Sequence, residues 1–121
     1  MVLIAVDDLL FSSKIRATAK QAGVDLTFAR SQAEILEQAR AIKPALVILD
    51  LNSAKTDPVE TIAALKRDPE LAAIRAIGFA SHVHTDLIRA ARAAGADEVM
   101  PRSAFASQLA GILLSGGSSA S

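Results

Sequence analysis

The sequence of 121 residues contains no cysteine, no tryptophan and no tyrosine. The lack of cysteine excludes disulfide bonds, zinc sites built from thiolates and catalysis by a thiol. It is typical of proteins in a reducing compartment, and we therefore expect a cytoplasmic location. The lack of tryptophan and tyrosine removes the usual intrinsic fluorescence signal, so phosphorylation or binding has to be followed by another method.

The chain also has no excess of positive or negative charge. The 13 lysine and arginine residues equal the 13 aspartate and glutamate residues in number. A neutral chain has no electrostatic attraction for nucleic acid or for an anionic membrane surface, so we expect a protein partner and no nucleic acid. No apolar run approaches membrane-spanning length, so we expect no membrane insertion. The first apolar run has no basic segment before it and ends at Asp7, which predicts a strand rather than a signal peptide.

The remaining composition is that of a globular domain, because 51% of the residues are hydrophobic and 21% are charged. Five short apolar runs alternate with segments whose apolar residues recur at helical spacing. This alternation predicts βαβ units with right-handed crossovers and a parallel sheet covered on both faces. The predicted strands lie at 2–6, 24–29, 45–50, 75–80 and 97–100, and the predicted helices at 9–22, 31–42, 57–67, 85–94 and 103–113.

The third run is the most informative of the five. Four large apolar residues, Leu46 to Leu49, lie between Pro44 and the single carboxylate of Asp50. An uninterrupted apolar run of this length is typical of a central strand buried on both faces of a parallel sheet. We therefore expect an α/β fold, a (βα)5 doubly wound parallel sheet with the flavodoxin-like strand order 2-1-3-4-5. Residues 1–115 should form this domain, and the Gly/Ser-rich residues 116–121 a flexible tail.

Three carboxylates mark the ends of two strands. Asp7 and Asp8 follow the first strand, and Asp50 ends the third. These two strands are neighbours in the predicted order, at the edge of the sheet where ligands collect in open α/β folds. Three crowded carboxylates repel one another unless a cation joins them, and a hard divalent ion with oxygen ligands, best Mg²⁺, is the natural solution.

The segments Val6-Asp7-Asp8, Leu46 to Asp50 and Gly95-Ala96-Asp97-Glu98 together resemble a response-regulator receiver domain of the CheY-like kind, and the likeness covers all but the tail. The resemblance implies that Asp50 is the phosphoacceptor. It implies that Asp7, Asp8 and Asp50, with the backbone carbonyl of Asn52, hold the Mg²⁺ ion.

The sequence departs from the receiver pattern at three positions. Where the family has Thr or Ser at the end of the fourth strand, this chain has Ala80, and Ser81 is the candidate replacement if the strand ends early or bulges. Where the family has a lysine after the fifth strand, Arg102 is the candidate replacement, although its longer planar guanidinium is not equivalent to an ammonium. The aromatic switch residue of the fifth strand corresponds to Val99.

The leading hypothesis is therefore a single-domain receiver in two-component signalling, and not an enzyme. The resemblance implies that a histidine kinase or a phosphotransfer protein donates the phosphoryl group to Asp50. It further implies that the surface of the fourth and fifth helices meets a downstream protein or a second copy of the chain.

Two other functions stay open. The substitutions at Ala80, Val99 and Arg102 are also compatible with a degenerate receiver that binds a protein partner independently of phosphate. A phosphatase of the haloacid-dehalogenase kind is less favoured, because the place of its general acid is taken by Asn52, which cannot exchange a proton in that role. A metal site on His82 and His84 is weaker still, since two ligands without a third are usually loop histidines.

Overall fold

The structure is a computed structural model that describes residues 1–53, 55–81 and 85–117. Its parallel strands are β1 (Val2–Ala5), β2 (Leu26–Phe28), β3 (Leu46–Asp50), β4 (Arg75–Ala80) and β5 (Glu98–Pro101). Its helices are α1 (Leu9–Ala22), α2 (Gln32–Ile42), α3 (Pro58–Arg67), α4 (Thr85–Ala94), α5 (Arg102–Ser107) and α6 (Leu109–Gly117). The strand order is β2-β1-β3-β4-β5, which confirms the predicted fold.

The central strand β3 is buried at every residue, as its apolar run predicts. Its alternate side chains serve two separate cores. Leu46 and Ile48 pack with α1, α5 and α6, whereas Val47 and Leu49 pack in the cluster that includes residues of α2, α3 and α4. Both faces of the sheet are therefore covered, and the carboxyl edge of the strands is left for the loops that carry the polar residues.

Two helices begin at residues whose side chains cap them. Asp8 caps α1 by accepting a hydrogen bond from the Phe11 N–H at 3.1 Å. Ser31 caps α2 by accepting from the Glu34 N–H, and the Glu34 carboxylate reaches back to the N–H of Arg30. These bonds satisfy N–H groups that have no partner within the helix, so the chain turns into each helix at a defined residue.

The C-terminal region differs from the prediction in two ways. The expected single helix from Ser103 is split at Gln108, after Ser107 Oγ donates to the carbonyl of Ala104. A serine hydroxyl that bonds a preceding carbonyl competes with the helical ladder, which weakens the turn at that point. In addition, α6 continues through Gly116 and Gly117, so the tail expected from residue 116 does not begin there.

Lys66 joins the end of α3 to the chain around β4 and β5. Its Nζ donates to the carbonyls of Ala72 and Ile74 and to the Asp97 carboxylate, the last at 2.8 Å. Asp97 also accepts from the N–H of Ala76 at 2.8 Å. Burial alone would raise the pKa of Asp97, but the hydrogen bonds from Lys66 and Ala76 outweigh it and lower this pKa. Asp97, in the segment from Gly95 to Glu98, thus has a structural role.

None of the helices in residues 1–53, 55–81 and 85–117 combines the length and the apolar character needed to cross a membrane.

Candidate functional site

The three predicted carboxylates lie at the carboxyl edge of the sheet. β1 and β3 pair in parallel with Ala5 opposite Leu49, so Asp7 and Asp8 leave β1 beside the end of β3, where Asp50 stands. We call Asp7, Asp8 and Asp50, together with Arg102, the acidic pocket. The strand ends therefore bring together the acids that the sequence predicts, because parallel neighbours end on the same edge.

Asp50 is the most enclosed of the acids, with 6% of its surface exposed. Its Oδ1 accepts a hydrogen bond from the backbone N–H of Asn52 at 2.9 Å. Burial raises the pKa of Asp50, and the negative charges of Asp7 and Asp8 add to this, while the Asn52 hydrogen bond and the positive charge of Arg102 oppose it. Loss of a proton from Asp50 is therefore sensitive to the charges around it.

Asp8 has a partner on each oxygen. Its Oδ1 accepts from the Phe11 N–H as the cap of α1, and its Oδ2 accepts from Arg102 Nη2 at 2.7 Å. The hydrogen bond from Arg102 is the main reason why the pKa of Asp8 is lowered. The guanidinium also lies over the ring of Phe11, 4.5 Å from its centroid. Asp8 thus has both roles that its position allows, helix cap and member of the acidic pocket.

Asp7 is tied to the loop that follows β3. Its Oδ2 accepts a hydrogen bond from Ser53 Oγ, and Ser53 is itself buried. The next residue back, Asn52, accepts a hydrogen bond through its side-chain oxygen from the N–H of Ser81 at 3.1 Å. The loop after β3 therefore links the ends of β1 and β4 across the edge of the sheet.

The predicted divalent cation requires carboxylate oxygens that converge on one point. Within the described parts of the chain, no three carboxylate or imidazole side chains are grouped so that they could hold a metal ion. Asp8 Oδ1 accepts from the Phe11 N–H, and Asp8 Oδ2 accepts from Arg102. Asp7 Oδ2 accepts from Ser53. The oxygen chemistry is right for Mg²⁺, but these oxygens are committed to protein donors, so the arrangement as it stands does not fit the ion.

Ser81 does not meet the conditions for replacing the hydroxyl of the family. β4 runs regularly to Ala80, which pairs with Pro101, so the strand neither ends early nor bulges before Ser81. Ser81 instead follows the strand and lines, with Arg102 and Phe11, a cavity of about 460 Å³. A role for its hydroxyl stays a prediction.

Of the other predicted positions, Val99 lies within the described residues. Val99 lies on the edge strand β5, where it pairs with Gly78, and it is 7% exposed because it packs in the core cluster that includes a residue of α4. It therefore offers a packed aliphatic side chain where the family has an aromatic ring. His82 and His84 lie outside the described residues.

Sequence reasoning missed Ser53 and the partner of Arg102. Ser53 stands three residues after Asp50, in a loop whose polar residues carry no pattern of their own. The pairing of Arg102 with Asp8 joins residues 94 positions apart. The only available signal for that pair was the position of Arg102 directly after the fifth strand, at the same edge of the sheet.

Comparisons with known proteins identify the fold. No family model matches the chain, and no curated protein sequence matches it either. Among solved structures it is similar to the Mn²⁺-bound form of the response regulator Rcp1, with a TM-score of 0.79 and 19% identity over 98% of this chain and 94% of that one. The chemotaxis response regulator CheY4 of Vibrio cholerae gives a TM-score of 0.80 and 18% identity, over 94% of this chain and 95% of that one.

A response regulator from Hahella chejuensis is similar as well, with a TM-score of 0.78 and 22% identity over 94% of this chain and 89% of that one. The receiver domain of NtrX from Brucella abortus superposes with a TM-score of 0.78. The chain therefore has the fold of response-regulator receiver domains, as the resemblance in its sequence implied.

Proposed function

We propose that this chain is a receiver in which Asp50 accepts a phosphoryl group from a phosphohistidine of a histidine kinase or a phosphotransfer protein. The observation that supports the proposal is the place of Asp50, which ends the buried central strand at the ligand-binding edge of the sheet. Two acids and one arginine surround it there. A carboxylate that only capped a turn would need none of these neighbours.

The transfer needs one oxygen of Asp50 as its nucleophile. This oxygen attacks the phosphorus, the bond from phosphorus to the histidine nitrogen breaks, and the imidazole of the donor leaves with that electron pair. The product is an acyl phosphate on Asp50. Burial raises the pKa of Asp50, whereas the charge of Arg102 favours the ionised form that attacks.

Arg102 is the candidate for contact with the incoming phosphoryl group. Its guanidinium already lies in the pocket, and its planar fork suits phosphoryl oxygens. Ser81, which lines a cavity together with Arg102, is the candidate hydroxyl in the chain segment after β4. Mg²⁺ is the cofactor that the resemblance implies, with Asp7, Asp8, Asp50 and the carbonyl of Asn52 as ligands. Because Asp8 contacts Arg102, the dependence of phosphoryl transfer on Mg²⁺ is measured directly in the test below.

The proposed output is a change in contacts with other proteins, not the enzymatic conversion of a substrate. The surface of α4 and of the C-terminal helices is the proposed place for a downstream protein or for a second copy of the chain. A cytoplasmic location, where kinases of this kind act on their receivers, belongs to the same proposal.

A second function is favoured by one set of observations. Ala80 offers no hydroxyl, Val99 packs in the core without a ring, and Arg102 is bound to Asp8. These features support a degenerate receiver that binds its partner independently of phosphate. The phosphatase alternative has less support, because the side chain of Asn52 accepts from Ser81 and is no proton donor for a leaving group.

The test is the intact mass of the protein after incubation with acetyl phosphate, with and without Mg²⁺. We expect one phosphoryl increment in wild type and none in Asp50→Asn. Asp25→Asn is the matched control, since Asp25 is an exposed aspartate outside the pocket, and it should behave as wild type. Absence of the increment in folded wild-type protein would reject phosphoryl acceptance and leave the phosphate-independent module.

A further inference from the structure

We propose that Arg102 is a built-in counter-cation of the acidic pocket, which takes the place of a divalent metal ion at Asp8, so that such an ion binds this chain only by displacing it. The inference goes beyond phosphoryl acceptance and does not depend on it. It concerns how the resting pocket is neutralised.

The first step is the contact itself. Arg102 Nη2 lies 2.7 Å from Asp8 Oδ2, a distance typical of a charge-assisted hydrogen bond. The other oxygen of Asp8 accepts from the Phe11 N–H at the start of α1. Both oxygens therefore have protein donors, and a metal ion that used Oδ2 would have to replace the guanidinium there.

The second step is the support that the core gives to the Arg102 side chain. Arg102 directly follows Pro101, which ends β5, and it is the first residue of α5. Its guanidinium lies over the Phe11 ring. That ring in turn meets Phe79 edge to face at 5.3 Å and contacts Phe105 at 5.8 Å. The arginine thus rests on an aromatic cluster of the core, which favours one orientation over many.

The third step is the charge that an incoming ion would meet. The guanidinium acts on Asp50 as well as on Asp8, so its positive charge reaches two of the three acids in the pocket. A divalent cation at the same acids would be repelled by it in proportion to both charges. Arg102 therefore lowers the affinity for the ion in two ways, by direct competition for Asp8 and by repulsion.

The experiment measures Mg²⁺ binding without any phosphodonor, by titration followed in ¹⁵N–¹H NMR spectra, for wild type and for Arg102→Met. Methionine keeps an aliphatic stem to pack on Phe11 and removes the charge. We expect Arg102→Met to bind Mg²⁺ about tenfold or more tightly than wild type, with shifts at the amides of Asp7, Asp8 and Asn52. Mn²⁺ should broaden the same resonances.

The matched control is Arg75→Met. Arg75 pairs with Glu98 at 3.0 Å at the start of β4, the opposite end of the strand from the pocket, and the two arginine side chains are similarly exposed, 47% and 42%. This variant removes the same charge, and its affinity for Mg²⁺ should equal that of wild type. Arg102→Lys keeps a positive charge in the pocket, and its affinity for Mg²⁺ should remain as low as that of wild type.

Wild type provides a test that needs no substitution. During the Mg²⁺ titration the side-chain Nε–H resonance of Arg102 should shift together with the amide of Asp8, because the ion displaces the arginine. Equal affinities of wild type and Arg102→Met would overturn the proposal. So would an Asp8 shift in wild type that leaves the Arg102 resonance unmoved, or failure of folded Arg102→Met to bind the ion. A lack of phosphorylation at Asp50, in contrast, would bear only on the proposed function.

Discussion

Ser53 donates a hydrogen bond to Asp7 and so joins the loop after β3 to the end of β1. The two residues are 46 positions apart in the sequence, yet they hold two sides of the acidic pocket together. Because Ser53 is buried, solvent competes little for its hydroxyl. The bond has a measurable consequence for stability.

We predict that Ser53→Ala lowers the free energy of unfolding by about 1 kcal/mol, since one buried hydrogen bond is lost and water can still reach the half-exposed Asp7. Urea unfolding followed by far-ultraviolet circular dichroism measures the change. Ser13→Ala, at an exposed position of α1, is the control and should leave the midpoint unchanged or slightly raised. A Ser53→Ala protein as stable as wild type would show that the bond to Asp7 contributes nothing.

The fold followed from the sequence because hydrophobic pattern and strand length are local properties. The buried run Leu46 to Leu49 predicted the central strand, and its neighbours predicted the alternation of strands and helices. The place of Asp7, Asp8 and Asp50 followed in turn, since the ends of adjacent parallel strands share one edge. To this extent the candidate site could be predicted without coordinates.

The remaining features depend on contacts between distant residues. The ion pair of Arg102 with Asp8 and the bond of Ser53 to Asp7 require the loops to be placed in three dimensions, and no local pattern encodes them. The close approach of Gly116 to Leu46 is another such contact: glycine is frequent in linkers, which is why the sequence predicts a tail there, whereas in the fold there is no room for a side chain.

Asp50 should make stability depend on pH with a sign opposite to that of most acids. Its pKa in the folded state is raised above the ordinary aspartate value of 3.8, chiefly by burial. The folded state therefore gains from the neutral form at pH below 3.8 and loses this gain as the pH rises through the raised pKa. Asp50→Asn, which is always neutral, should be more stable than wild type at neutral pH, by about 1 kcal/mol, the size of an ordinary single substitution.

Thermal unfolding of both proteins between neutral and acidic pH measures this difference. It should shrink towards zero below the unfolded-state pKa, where Asp50 is neutral in both states. Asp97→Asn is the contrasting variant, because the pKa of Asp97 is lowered in the fold. Its ionised form stabilises the protein above pH 3.8, the ordinary pKa of an aspartate, and that stability is lost as the pH falls through the folded-state pKa. A difference for Asp50→Asn that does not vary with pH would contradict the role of burial.

Lys66 should be important for the attachment of α3 to the sheet. Its ammonium has three oxygen acceptors, and its side chain is only 18% exposed. Lys66→Met keeps the apolar stem but leaves the carbonyls of Ala72 and Ile74 and the Asp97 carboxylate without this donor. We expect a loss of about 1–3 kcal/mol in the free energy of unfolding.

Denaturant unfolding of Lys66→Met and of Lys14→Met measures this loss against a control. Lys14 is an exposed lysine of α1, so its replacement removes the same charge without a buried partner, and its stability should match that of wild type. If both variants lost equal stability, the effect would come from net charge rather than from the acceptors of Lys66.

Gly111 and Gly116, both in α6, should respond to alanine in opposite ways. A Cβ on Gly116 would lie 2.6 Å from the Cβ of Leu46, a residue of the buried central strand. Helix α6 would have to move away from the sheet, so Gly116→Ala should cost about 1–3 kcal/mol. A Cβ on Gly111 meets nothing within 4 Å, and Gly111→Ala should stabilise the protein by roughly 0.5–1 kcal/mol through its higher helix propensity. Equilibrium unfolding of the two variants compares the same chemical change in one helix. Equal effects of both substitutions would mean that α6 does not pack on β3 through Gly116.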